Sequence, residues 1–62
     1  MGRAEYKLTF YQIELQRDVS NVFYDFKDLV NKYNSCCLSM HCKDIKAFRL
    51  DKKKRHYLEI RL

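Results

Sequence analysis

The longest regular pattern of apolar residues lies between Asp18 and Tyr33. Its apolar positions recur at spacings of three and four, which places them on one face of a single helix. They are Val19, Val22, Phe23, Phe26, Leu29, Val30 and Tyr33. Polar residues occupy the opposite face, so the segment is amphipathic and buries one side. The pattern therefore predicts a helix over residues 18–33 that packs on one surface.

Both ends of this predicted helix have more than one candidate boundary. Asp18 is a suitable N-cap because its carboxylate can accept a hydrogen bond from a free N–H of the first turn, and Ser20 is the alternative. Polar residues around Asn34 weaken the helix. The apolar face could nevertheless continue through the cysteines to Met40, so the predicted end lies between residues 33 and 40.

Residues 5–15 alternate between apolar and polar side chains, which predicts the first β-strand. The alternation changes phase within the strand. The two apolar sets are Tyr6, Leu8 and Phe10 on one face and Tyr11, Ile13 and Leu15 on the other. Either a bulge between Phe10 and Tyr11 returns both sets to one side, or the strand is covered on both faces.

Two further strands are predicted near the end of the chain, over residues 45–50 and 56–62. Their apolar faces consist of Phe48 and Leu50 in the first strand and of Leu58, Ile60 and Leu62 in the second. If these faces coincide, the connecting loop has three or five residues, and a loop of two or four is disfavoured. We therefore predict a five-residue loop over residues 51–55, with Phe48 opposite Leu58.

Together these elements predict one α+β domain over residues 1–62 with the order β-α-β-β. The helix would cover one face of a three-stranded antiparallel sheet in the order 1-3-2. The first strand would then be an edge, and an apolar edge strand tends to pair with another chain. We therefore predict a homodimer joined through the first strand. The predicted dimer edge consists of Phe10, Tyr11, Ile13 and Leu15.

The length and composition of the chain limit its class. A domain of 62 residues buries only about 60% of the surface of its unfolded chain, so its stability is marginal. Apolar residues make up 47% of the chain, which argues against disorder. No apolar run approaches the ~18 residues of a membrane span, and the N-terminus lacks the apolar segment of a signal peptide. We expect a soluble cytoplasmic protein with no membrane contact.

The net charge of +5 is confined to the last third of the chain. Residues 1–42 contain five basic and five acidic side chains, whereas residues 43–62 contain eight basic and three acidic ones. The candidate partner-binding residues are therefore the basic side chains of the predicted hairpin and two tyrosines expected to be exposed. They are Lys46, Arg49, Lys52, Lys53, Lys54, Arg55, Tyr57, Arg61 and Tyr24.

A basic hairpin of this kind suits phosphate groups or an acidic protein surface. An equally good explanation is a solvated hairpin tip whose lysines discourage aggregation of the neighbouring strands. Within the hairpin, Arg49 and Glu59 could also pair across the two strands.

The three cysteines lie within seven positions, and their odd number favours reduced thiols over a disulfide framework. Zinc usually takes its four ligands from two well-separated pairs. Cys37, His41 and Cys42 are therefore weak metal ligand candidates, and packing of the cysteines as small apolar groups is favoured. We predict neither a metal nor a cofactor.

An enzyme is not expected. The single glycine, Gly2, excludes a glycine-rich phosphate loop and a nucleophile elbow, and the chain has little room for a substrate pocket. The preferred function is a non-catalytic binding protein, an adaptor or inhibitor that acts on a larger protein or a protein–nucleic-acid complex. Stand-alone inhibitors encoded by phages and mobile elements have comparable lengths. The alternative is direct nucleic-acid binding through the basic hairpin and stacking tyrosines.

Overall fold

The computed structural model describes residues 4–62 and contains, within them, four β-strands and one helix. The elements are β1 (Tyr6–Gln12), β2 (Arg17–Phe23), α1 (Phe26–Leu38), β3 (Cys42–Asp51) and β4 (His56–Ile60). The strands form one antiparallel sheet in the order β2-β1-β3-β4, and α1 packs on one face of it. The predicted α+β class, with one helix on an antiparallel sheet, is confirmed. The predicted three-stranded sheet in the order 1-3-2 is wrong.

The largest difference is that residues 17–23 form a strand, β2, where the first turns of the helix were predicted. Val19 and Phe23 lie opposite Phe10 and Tyr6 of β1 and pack against the core. A spacing of four keeps two residues on one face of a helix, but it also keeps them on one face of a strand. The apolar pattern of residues 17–23 therefore fits a helix and a strand equally, and pairing with β1 makes the segment a strand.

Helix α1 begins after Asp25, whose carboxylate accepts a hydrogen bond of 2.9 Å from the Lys27 N–H. The predicted N-caps, Asp18 and Ser20, both lie in β2 instead. At the other end, the Ser39 N–H donates to the Cys36 carbonyl at 3.2 Å, and the helix ends at Leu38. This end falls within the predicted interval.

Strand β1 lies inside the sheet, hydrogen-bonded to β2 on one side and to β3 on the other. Phe10 and Tyr11 therefore have no free strand edge, and Ile13 and Leu15 lie in the turn that follows β1. The predicted edge position of the first strand is wrong because the unexpected strand β2 pairs there. The physical reason for a dimer through these residues disappears with it.

The phase change within β1 is explained neither by a bulge between Phe10 and Tyr11 nor by a strand that is covered on both faces. Phe10 faces the helix and is buried, whereas Tyr11 lies on the opposite face, which no element within residues 4–62 covers. The irregularity lies in the neighbouring strand, where Asp44 and Ile45 of β3 both oppose Phe10. This β-bulge keeps Ile45 packed against the core.

The β3–β4 turn has four residues, 52–55, and not the predicted five. Its register places Phe48 opposite Glu59, so the predicted pair of Phe48 with Leu58 is wrong. The helix-facing residue of β3 is instead Ala47, which is buried beside Leu8. A small side chain at this position lets the helix approach the sheet closely. Because successive side chains of a strand point to opposite faces, the larger Phe48 lies on the other face.

The buried core is small and lies between α1 and the two central strands. It consists of Leu8, Phe10, Leu29, Cys36 and Ala47. At one end, Phe26 of α1 packs edge-on against the Tyr6 ring at a centroid distance of 5.6 Å. No helix within residues 4–62 is long and apolar enough to cross a membrane.

Candidate protein-binding surface

The sheet face opposite α1 is not covered by any other element of the described chain, and we call it the open face. Strand register and the alternation of side chains determine its members. They are Lys7, Thr9, Tyr11, Asp18, Ser20, Val22, Lys43, Lys46, Phe48, Leu50, Tyr57 and Glu59. Apolar and aromatic side chains therefore share this surface with charges of both signs.

The main apolar part of the open face lies on two neighbouring strands, β3 and β4. Phe48 lies between Lys7 and Glu59, and Leu50 lies beside Tyr57. Phe48, Leu50 and Tyr57 are half-buried by their neighbours, and their remaining surface faces outward. An apolar group that contains aromatic residues and is surrounded by polar ones has the arrangement of many protein interfaces, in which a polar rim surrounds an apolar centre.

Two lysines of the open face lie over tyrosine rings. The Lys7 Nζ is 5.2 Å from the centroid of Tyr57, and the Lys43 Nζ is 4.9 Å from the centroid of Tyr11. At these distances the ammonium group is attracted by the ring face, by about 0.5–1 kcal/mol where water has access. Both lysines are thereby kept on the surface of the sheet.

Tyr57 is held at its polar end as well. Its hydroxyl donates a hydrogen bond to the Glu5 carboxylate, and this bond raises the pKa of Tyr57. Partial burial raises the pKa of Tyr57 further, and so do the charges of Glu5 and of Tyr24. With its ring under Lys7 and its hydroxyl on Glu5, Tyr57 is a fixed side chain of the open face.

The turn between β3 and β4 carries the densest positive charge, and we call its residues Lys52, Lys53, Lys54 and Arg55 the basic tip. All four are exposed. The Asp51 carboxylate accepts hydrogen bonds from the N–H groups of Lys53 and Lys54, at 3.0 and 3.3 Å. Arg55 closes the turn with a positive φ of 56° and donates its N–H to the Asp51 carbonyl at 2.7 Å.

The remaining predicted site residues do not form one surface. Lys46 and Tyr57 lie on the open face, but Arg49 lies on the helix side, across from Leu58. Arg49 and Glu59 are therefore on opposite faces, and their predicted pairing is not formed. Arg61 is exposed beyond the end of β4. Tyr24 is 56% exposed in the bend before α1.

Phe48 and Leu50 were missed as surface residues because they were expected beneath the helix. The sequence does contain a signal for the other phase, since Ile45 and Ala47 alternate with Lys46 just before them. A small residue between larger apolar ones marks a position where a helix can approach closely.

A second exposed apolar group, the apolar end, lies at the opposite end of the sheet from the basic tip. It consists of Ile13, Leu15, Leu38 and Met40, of which the last two are 87% and 91% exposed. Two contacts join its turns: the Ile13 N–H donates to the His41 carbonyl at 2.9 Å, and the His41 Nδ1 lies 2.9 Å from the Glu14 carboxylate.

The cysteines differ in their surroundings. Cys36 is buried, Cys42 is half-buried and Cys37 is exposed. Burial raises the pKa of the Cys36 thiol, and the neighbouring Cys42 raises it further. Within residues 4–62, no three His, Cys, Asp or Glu side chains are grouped so that they could hold a metal ion. Cys37, His41 and Cys42 are not brought together as a ligand set.

Comparison of the chain with protein-family models, curated proteins and solved structures finds no match.

Proposed function

We propose that this protein is a small, non-catalytic binding protein that docks its open face on a larger protein, as an adaptor or inhibitor does. The observation that supports the proposal is the uncovered apolar group formed by Phe48, Leu50 and Tyr57. Apolar groups that no other element covers, surrounded by polar residues, are typical of protein interaction sites.

The chemistry of the open face favours a protein partner over a polyanion. Lys7, Lys43 and Lys46 are accompanied on or beside it by Glu5, Asp18 and Glu59, so the two signs are balanced. Balanced charges around an apolar centre suit a partner of matching shape, whereas protein surfaces that bind nucleic acid carry a marked positive excess. Tyrosine also provides a large contact area with little conformational freedom to lose.

The partner surface is expected to be acidic around the contact. The positive excess of the chain belongs to residues 43–62, and the basic tip lies at one end of the open face. Complementary charge of this kind increases the rate of association and orients the two proteins as they meet.

The proposal is tested by capture from nuclease-treated lysate, identification of the captured protein, and calorimetry with that purified protein. Replacement of Phe48 by Ala should weaken binding by roughly tenfold or more, because central aromatic residues carry most of the binding free energy. The matched control is Leu38→Ala, which removes an apolar side chain that is 87% exposed outside the open face. Circular dichroism verifies that both variants are folded.

Two results would contradict the proposal. Binding that is lost in Leu38→Ala but kept in Phe48→Ala would assign the interaction to the apolar end. Capture that disappears with nuclease would favour nucleic acid as the partner, and the exposed basic tip supports this second candidate. In that case a labelled oligonucleotide binds with steep salt dependence, and replacing Lys52, Lys53 and Lys54 together by Ala abolishes its binding.

A further inference from the structure

The strand β4 has an unpaired edge whose sequence is complementary to itself. β4 pairs with β3 on one side, and no strand of the described chain pairs with its other side. The segment from Leu58 to Leu62, of which the last two residues directly follow the end of β4, alternates apolar residues with one acidic and one basic residue. A strand edge with free N–H and C=O groups can pair with another strand, and the charges along it restrict which strand it accepts.

The apolar side of this segment lies beside the core. Ile60 packs against the core cluster, and Leu58 and Leu62 are 37% and 43% exposed. Helix α1 packs mainly on β1, β2 and β3, so these side chains form a strip at the margin of the helix-covered face. A second strand placed alongside β4 would bury the strip.

Symmetric pairing of two copies restricts the register. In an antiparallel pair related by a two-fold axis, the residue numbers of every two opposing residues add to the same total. Because side chains alternate between the two faces, an even total places helix-side residues opposite helix-side residues, so both helices lie on the same side of the sheet. A register centred on Ile60 places Glu59 of each copy opposite Arg61 of the other copy. The same register places Leu58 opposite Leu62, so charge meets opposite charge and apolar meets apolar.

The neighbouring registers lack this match. Centring the pair on Glu59 places two carboxylates opposite each other, and centring it on Arg61 opposes two guanidinium groups. Centring it on Leu58 places Arg55 opposite Arg61. Registers with an odd sum oppose charged residues to apolar ones, for example Leu58 to Arg61. Like charges directly opposite are destabilising, whereas opposite charges are favourable.

We infer that two copies of this chain associate through β4 in the register centred on Ile60, which gives a continuous eight-stranded sheet. Both helices lie on one side of that sheet, and both open faces lie together on the other. This interface replaces the edge predicted for the first strand. One strand pair is a small contact, so the dimer forms and dissociates with protein concentration.

Sedimentation equilibrium of the purified chain, over a range of concentrations up to millimolar, tests the inference without any other partner. The chain of 7.6 kDa should associate to a species of twice that mass. Glu59→Arg alone and Arg61→Glu alone should each weaken the dimer by about tenfold, because each opposes like charges twice. The two changes combined should restore the dimer to within about threefold of the original affinity.

The control is Asp18→Arg, a charge reversal on the outer strand β2, which should leave the dimer unchanged. A chain that stays monomeric throughout the range overturns the inference. So does a dimer that neither single reversal weakens, or a double variant that fails to recover. None of these results affects the proposed binding of a larger protein, which is measured with that protein present.

Discussion

The hydroxyl of Tyr57 and the carboxylate of Glu5 come from opposite ends of the chain and meet on the open face. A hydrogen bond donated by a phenol to a carboxylate is lost when the phenol ionises, which is why the pKa of Tyr57 is raised above 10.0. The raised pKa belongs to the folded state. The contact therefore contributes stability below the pKa of the unfolded chain, and the contribution is lost as pH rises through the folded value.

Replacing Glu5 by Gln should lower the pKa of Tyr57 toward its ordinary value. The measurement is the ultraviolet absorbance of tyrosinate during an alkaline titration, with Tyr57→Phe subtracted to isolate the one ring. Glu59→Gln is the control, because Glu59 lies on the same face but opposite Phe48. An unchanged titration in Glu5→Gln would mean that the hydrogen bond does not control Tyr57.

Individual residues also show which parts of the candidate binding surface could be predicted from the sequence. The basic tip could be assigned to an exposed turn, because a run of four basic residues between two alternating segments has few other structures. Phe48 was expected to face the core with the larger apolar residues of β3, and the alternation of Ile45 and Ala47 indicates the other phase without deciding between the two. The packing of Ala47 under α1 decides the face, and that contact is not visible in a local pattern.

At the scale of elements, the start of α1 is determined by one side chain. Asp25 caps the helix through the Lys27 N–H, and Asp18 is an exposed residue of β2. Both were acidic residues followed by an apolar pattern with helical spacing. The sequence could therefore predict a helix containing Phe26, Leu29 and Tyr33, but not the residue at which it begins.

Replacing Asp25 by Ala should reduce the free energy of unfolding by about 1 kcal/mol, because a free N–H of the first turn loses its acceptor. Replacing Asp18 by Ala should change it by less than about 0.5 kcal/mol, as is usual for an exposed site. Urea denaturation of both variants provides the comparison. A larger loss in Asp18→Ala than in Asp25→Ala would contradict the observed helix start.

On the scale of the whole molecule, whose longest dimension is 38 Å, the basic tip and the apolar end are two separate surfaces. The basic tip follows the end of β3, and the apolar end adjoins its beginning, so the two lie at opposite ends. Of these two surfaces, only the basic tip could be predicted from the sequence. The apolar end is formed by the turn after β1, which the sequence assigned to a strand, and by the residues around the end of α1.

The two outer strand pairs, β1 with β2 and β3 with β4, are each closed by a turn of four residues. The central pair of β1 with β3 instead joins Gln12 to Cys42 and Tyr6 to Arg49, separations of 30 and 43 positions. Closing so long a loop costs chain entropy before any contact compensates for it. We therefore expect formation of this central pair to limit the folding rate.

Val19 and Ile45 both lie opposite Phe10, one across the local pair and the other across the central pair. Ile45→Val should therefore mainly slow folding, and so should Val19→Ala, because the local pair is already formed when the central pair closes. Stopped-flow measurements in urea separate the folding and unfolding rates, and a variant that mainly accelerates unfolding would refute this order of events. The interior position of β1 thus makes the speed of folding depend on a single long-range encounter.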